Sequence, residues 1–463
     1  MLNVLIALIV TVFVALFVYK RYKPQTVLMF GGIILMAITI IFGWGNILAP
    51  EKSTGFVWFD IFEFIKLTFA DRGGGLGLLI MAIAGFAKYM DHIGASASLV
   101  NIVVKPLEKI NIGPYVLLGL GYIVGQLLNI LIASASGLGL LLMVTMYPIV
   151  RKMGVSKIGA AAMIGTTGCL DLGPASGNSN LAAETANMDV SLYFTNYQIP
   201  VAIAVMITIA LLHYFTQKYF DKKDGYSVEA TKKEFNNTDK NKDLDDNKIK
   251  KAPKIYAILP MIPLTLILVF SELLINIIDI NVVTAMLIGI FISLIFEYFR
   301  LGNAKKVFDS IQIFFDGMGV QFAKVVTLIV AGQTFAQGLK VSGALDVLIQ
   351  GAQNAGFGVN MMIIVMVAII SVSAIVMGSG NAPFFSFAAM VPNIAEKVGI
   401  PSVLMLLPMQ FASSLARSVS PITAVIVAVS GFAEISPFDL VKRTAIPMAG
   451  GLIVTIITSF VIF

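Results

Sequence analysis

The chain has 463 residues, of which 58% are hydrophobic and 13% charged, with a formal net charge of +6. A soluble domain carries about 45–50% apolar and about 25% charged residues, so this apolar excess excludes a water-solvated fold and points to lipid as the solvent. The basic residues sit in short clusters between apolar runs rather than along one stripe, which argues against a nucleic-acid partner and fits cytoplasmic loops.

Apolar runs of about 17–25 residues are long enough to span a bilayer. In chain order they are expected near 2–19, 25–43, 76–93, 114–132, 158–172, 197–216, 256–275, 282–299, 321–339, 360–377, 402–416 and 444–462. The first is followed by Lys20, Arg21 and Lys23 with no small-residue cleavage site, so it reads as a retained membrane helix. Apolar stretches at 139–150, 384–391 and 421–430 are too short to cross alone. Residues 217–254 hold eleven lysines and eight acids and read as a solvated cytoplasmic linker. It divides a first membrane unit, 1–216, from a second, 255–463.

Lysine and arginine bias sets the orientation. With the linker inside, parity works only if 114–150 and 360–391 each enter and leave the membrane on one side, as opposed re-entrant hairpins. Most basic residues then lie inside, while Lys52, Lys66, Arg72, Lys340 and Lys397 lie outside. Lys88, Lys324 and Arg417 fall within membrane segments.

The two units echo each other, as internal repeats do. Asp60, Phe86-Ala87 and Gly94-Ala95 recur at one constant offset as Asp309, Phe335-Ala336 and Gly343-Ala344. Ser136-Gly137, Pro148, Gly154 and Pro200 recur as Ser379-Gly380, Pro392, Gly399 and Pro447, at an offset that drifts by a few residues. Given the topology above, the units are inverted repeats. Such repeats place the substrate site at their interface, formed by broken helices in matching positions.

Four polar, glycine- or proline-interrupted segments break the apolar runs as two matching pairs. Ser134 to Gly139 pairs with Gly378 to Pro383, and Gly173 to Asn178 pairs with Arg417 to Pro421. Backbone freed by glycine or proline must line a cavity or be buried in protein, and its N–H groups at a half-helix start attract anions. The candidate substrate-binding residues are therefore Ser134, Ser136, Gly137, Ser176, Gly177, Asn178, Ser379, Gly380, Asn381, Arg417, Ser418 and Ser420. Small residues also serve helix packing, but symmetric placement favours a site.

Arg417 is costly within a membrane segment, and its fork can grip a carboxylate with two bonds. The alternative for it is an ion pair with Asp171 or Glu184. Asp171, beside Gly173-Pro174, is a candidate for ion coupling or for a structural pair. Cys169 reads as a small buried hydrophobe, and His92 and His213 as interfacial. Two distant histidines, one cysteine and no ATP-binding loop give no enzyme, metal or cofactor signature.

At these motifs the chain resembles the anaerobic four-carbon dicarboxylate carriers of the uptake C family, within the ion-transporter superfamily. The strings are Gly85 to Ala95 (GFAKYMDHIGA), Ser134 to Met143 (SASGLGLLLM), Gly378 to Phe384 (GSGNAPF), Arg417 to Pro421 (RSVSP) and Ile435 to Thr444 (ISPFDLVKRT). The resemblance implies an all-α polytopic protein with two inverted repeats, a scaffold with a moving transport domain, and a homodimer in a bacterial inner membrane. It implies succinate, fumarate or malate as substrate, moved by efflux or exchange without a cofactor. The resemblance supplies no role for Asp171, and it leaves the coupling ion, proton or sodium, open. A transporter of another small organic anion, or an anion channel, is the alternative.

Overall fold

In the computed structural model, residues 2–20, 22–109, 112–228, 252–270, 280–344 and 358–463, with 275, 277, 278 and 347, are described. Among them the regular structure is entirely helical. Eight helices are long and apolar enough to cross a membrane. The central part of the 217–254 segment, 229–251, lies outside the described residues.

The first unit opens with α1 (Leu2–Tyr19) and α2 (Pro24–Phe42), and continues with α3 (Val57–Gly74), α4 (Leu76–Ile93) and α5 (Ala95–Val104). Then come α6 (Pro114–Leu131), α7 (Ala135–Lys152), α8 (Lys157–Thr166), α9 (Gly177–Thr185) and α10 (Val190–Lys223). The second unit begins with a 3-10 segment, Lys254–Met261, leading into α11 (Ile262–Val269), followed by α12 (Val282–Leu301) and α13 (Ala304–Val341). It ends with α14 (Val359–Met377), α15 (Asn381–Ala388), α16 (Val391–Val398), α17 (Val403–Arg417), α18 (Ala424–Phe432) and α19 (Pro437–Ile462).

Several sequence expectations shift. Helix α3 was not among the expected spans, because Asp60, Glu63, Lys66, Asp71 and Arg72 interrupt its apolar run. Asp60 explains one of these charges: it ties down the preceding loop by accepting from Ser53 Oγ (2.8 Å) and from the Thr54 backbone N–H and hydroxyl (2.7 Å each). The run at 158–172 holds only the ten-residue α8, and residues 167–176 are non-helical but mostly buried. The apolar run at 139–150 belongs to the longer α7. His213 is not interfacial; it is fully buried, with Nε2 2.8 Å from Thr166 Oγ1.

The residues at 217–224 are not simply solvated either. Helix α10 runs on to Lys223, and Arg443 near the start of α19 reaches Asp221 Oδ1 and Asp224 Oδ2, each at 2.7 Å. Arg443 and Asp221 side chains are 5% and 1% exposed, so this pair fastens the last helices of the two units inside the protein. The Arg443 guanidinium also lies 5.1 Å from the centre of the Phe220 ring.

The main hydrophobic core runs through α6–α10 and α14–α19. A smaller core joins α4 to α11, α12 and Phe314 of α13. In each half a helix pair joined by a short break, α6–α7 and α14–α15, precedes a closing long helix, α10 and α19. Gly75 separates α3 from α4, and α13 contains a π-helical turn, Phe322–Val326. Gly75 and Lys324 fall at equivalent places in the register set by Asp60 and Asp309.

Candidate functional site

Two helix pairs are joined by short breaks. Between α6 and α7, residues Ile132–Ser134 leave the helical conformation, and Ser134 caps α7 by accepting from the Gly137 N–H (3.2 Å). Between α14 and α15, Gly378 turns the chain with φ +63°. That left-handed conformation is open to glycine without cost, and the Ser379 hydroxyl accepts from the Ala382 N–H (3.3 Å). The buried segment 167–176 leads into α9, which Ser176 caps by accepting from Ser179 N–H (3.3 Å). The chain after α17 leads, through Thr423, into α18.

The starts of these four helices border one cavity of about 270 Å³. Its wall includes Ser134 to Ser136, Ser176 to Asn178, Gly378 to Asn381 and Thr423 to Val425, with Asp171 and Arg417 as its charged members. A helix start carries N–H groups without intrahelical partners and the positive end of the helix dipole. Four such ends and a guanidinium bordering one space are features that attract anions. The volume is just under the roughly 300–1,000 Å³ of pockets for drug-sized ligands, which suits a smaller solute.

Arg417 ends α17, with its side chain 11% exposed. Nη2 donates to Asp171 Oδ1 (2.8 Å) and to the Gly168 carbonyl, and Nη1 donates to Asn381 Oδ1 (3.4 Å). Nε is buried without a protein partner, and Nη1 makes only the long contact to Asn381, so the terminal nitrogens retain donor capacity. Gly380 permits this placement: a Cβ there would stand 2.8 Å from the Ser413 carbonyl oxygen and 3.0 Å from Arg417 Cδ. Of the two candidate partners, Asp171 holds Arg417, whereas Glu184 pairs with Arg72.

Asp171 is held from several sides. Its Oδ2 accepts from Asn178 Nδ2 and Ser414 Oγ, each at 2.7 Å. Its backbone carbonyl accepts from Gln410 Nε2 (2.7 Å), Ser179 Oγ (3.1 Å) and Gln198 Nε2 (3.3 Å). Gln410 in turn accepts from the Tyr193 hydroxyl at 2.6 Å. Behind this segment, Gln126 Nε2 and Asn129 Nδ2 donate to the Leu170 carbonyl at 2.8 and 3.1 Å. Non-helical backbone buried within the protein is thus satisfied largely by amide side chains, as its burial demands.

Of the residues singled out in the sequence, Ser134, Ser136, Ser176, Gly177, Asn178, Ser379, Gly380, Asn381, Arg417 and Asp171 line the cavity. Gly137, Ser418 and Ser420 do not. Gly137 lies within the first turn of α7, its N–H held by Ser134, while Ser418 and Ser420 are buried. Asn129, Gln321 and Thr423 also line it and were missed, as were the bracing amides Gln126, Gln198 and Gln410. Their signal was an uncharged amide or hydroxyl in or beside an apolar run, which is costly there without a partner.

The family model described as C4-dicarboxylate anaerobic carrier matches residues 2–463. The chain is 38% identical over 459 residues to the anaerobic C4-dicarboxylate transporter DcuC of Escherichia coli K12, covering 99% of this chain and 96% of that one. It is 37% identical over 463 residues to the probable anaerobic C4-dicarboxylate transporter DcuC of Vibrio cholerae, covering 100% and 98%. Two solved structures share the fold. MtrF of Neisseria gonorrhoeae, from a class of antimetabolite efflux pumps, has a TM-score of 0.57 at 14% identity, over 95% of this chain and 94% of that one. The YdaH transporter of Alcanivorax borkumensis has a TM-score of 0.59 at 15% identity, over 94% and 98%.

Proposed function

The chain belongs to the C4-dicarboxylate anaerobic carrier family, and from that premise we propose that it is a secondary transporter of succinate, fumarate or malate, working by alternating access. The observation that carries this reading is the cavity bordered by four helix starts and Arg417. One carboxylate of the substrate lies against Arg417, using its two terminal nitrogens as a fork. The other lies against first-turn N–H groups across the cavity, with Ser136, Asn178 and Asn381 as further donors. Neutral donors suit a solute that must leave again: binding energy common to both faces of the membrane gives affinity without turnover.

The similar element order of the two units supports inverted repeats with opposed hairpins at 114–150 and 360–391, within a scaffold that carries a moving transport domain. The basic-residue bias supports a bacterial inner membrane location with the 217–254 linker in the cytoplasm. A homodimer and efflux or exchange in anaerobic growth complete the proposal. The test is uptake of labelled succinate into proteoliposomes preloaded with fumarate. Saturable uptake that collapses without internal dicarboxylate is expected; folded protein with no saturable uptake or exchange of any dicarboxylate overturns the reading.

A further inference from the structure

We propose that Asp171 is an internal competitor of the substrate: its carboxylate occupies Arg417 in the empty site and yields it by taking up one proton as the dicarboxylate binds. The inference rests on the substrate reading above and adds a coupling mechanism to it. Arg417 has one anionic partner among the described residues, Asp171 Oδ1 at 2.8 Å. That is the charge-assisted contact a substrate carboxylate would make with the same nitrogen. The two side chains are 11% and 15% exposed and both border the cavity, so the pair is withdrawn from bulk water yet open to an incoming solute.

Charge balance governs the exchange. Empty, the cavity wall carries one cation and one anion. A bound dianion beside an ionised Asp171 would set three negative charges against one positive. Carboxylates crowded together hold a proton between them instead. The geometry names the oxygen that receives it. Oδ2 stays engaged as acceptor from Asn178 and Ser414, 2.7 Å each. Oδ1 loses only the Arg417 contact. A proton from solvent adds to Oδ1, the Nη2–Oδ1 bond breaks, Nη2 bonds to the substrate, and the new Oδ1–H donates to the same carboxylate. Release of substrate reverses each step.

Other titratable groups near Asp171 are already committed or lie apart. On its own segment, the Cys169 thiol meets the Tyr122 hydroxyl of α6 at 3.3 Å. From α10, Tyr193 donates to Gln410. Glu184 lies at the far end of α9, with Arg72. Asp91 of α4 sits beneath the first turn of α7, its Oδ2 3.6 Å from where a Cβ on Gly137 would stand. On α17 the charged group is Arg417, α15 brings Asn381, and Lys324 of α13 lies one turn beyond the cavity-lining Gln321.

The experiment is calorimetric titration of succinate into the purified full-length protein at about pH 7–9, where free carboxylates are ionised, in two buffers of different ionisation enthalpy. The wild type is expected to take up one proton per succinate, so its affinity rises up to about tenfold for each unit fall in pH. Asp171→Asn, a neutral mimic of the protonated state, is expected to bind with no proton uptake and a flat pH profile, and more tightly than wild type at the alkaline end. Saturable wild-type binding without proton uptake overturns the proposal, as does pH-insensitive binding that requires sodium. Proton uptake that persists in folded Asp171→Asn overturns it too. A variant that does not fold leaves the wild-type measurement decisive. No saturable wild-type binding of any dicarboxylate is a different result, and it removes the substrate reading itself.

Discussion

Replacing Arg417 by lysine isolates the contribution of the guanidinium fork from that of its charge. The ammonium keeps a positive charge for Asp171, so the buried carboxylate is not left alone and the fold is expected to hold. What is lost is the second direction of donation. Arg417 serves Asp171, Gly168 and Asn381 with its two terminal nitrogens, Nη1 only at 3.4 Å, while Nε is buried without a partner. A lysine can offer a carboxylate one compact donor group. Losing one charge-assisted bond costs about 1.5–3 kcal/mol, which is roughly a 10- to 150-fold loss of affinity. Equilibrium binding of labelled succinate, with size-exclusion and thermal melting as folding controls, reads this directly. An affinity within about threefold of wild type would refute the bidentate role.

Arg443→Leu leaves Asp221 buried without its cation and should destabilise the protein by about 3–5 kcal/mol; adding Asp221→Asn should recover a large part of that loss in denaturant titrations, with succinate affinity unchanged. Gly378→Ala forces a Cβ onto a residue at φ +63° and to within 2.7 Å of Ile422 Cγ1. It should cost at least about 1–2 kcal/mol in thermal melts; an unchanged melting temperature would mean that the turn relaxes. A cysteine at exposed Lys222 should react with impermeant maleimide from the cytoplasmic face alone, against a silent background from buried Cys169. Labelling from outside would reverse the assigned orientation.

The cavity wall was legible in the sequence because glycine, proline and hydroxyl clusters stand out against apolar runs. Ser134, Ser176, Ser379 and Arg417 could each be picked out where a continuous helix would otherwise be expected. Asp171 could be noticed, and named with Glu184 as one of two partners for Arg417, but not chosen between them: only the packing of α17 against the 167–176 segment brings Asp171 to Arg417, while Glu184 goes to Arg72. The amides Gln126, Asn129, Gln198 and Gln410 were harder to see, since each stands nearly alone and its purpose is a carbonyl freed on another element. Helix α3 escaped notice for the opposite reason. Its charges break the hydropathy signal, yet Asp60 bonds its own preceding loop and Arg72 reaches Glu184 on α9. Periodicity reports the solvent of a helix; it does not report which polar group across the core will need a donor.

The most direct test of the whole account is a structure of the protein with succinate bound. The account predicts the solute between the starts of α7, α9, α15 and α18, with one carboxylate on Arg417 and the Asp171–Arg417 contact broken. Succinate seated elsewhere, or lodged in the cavity with that ion pair intact and the helix starts unused, would contradict it.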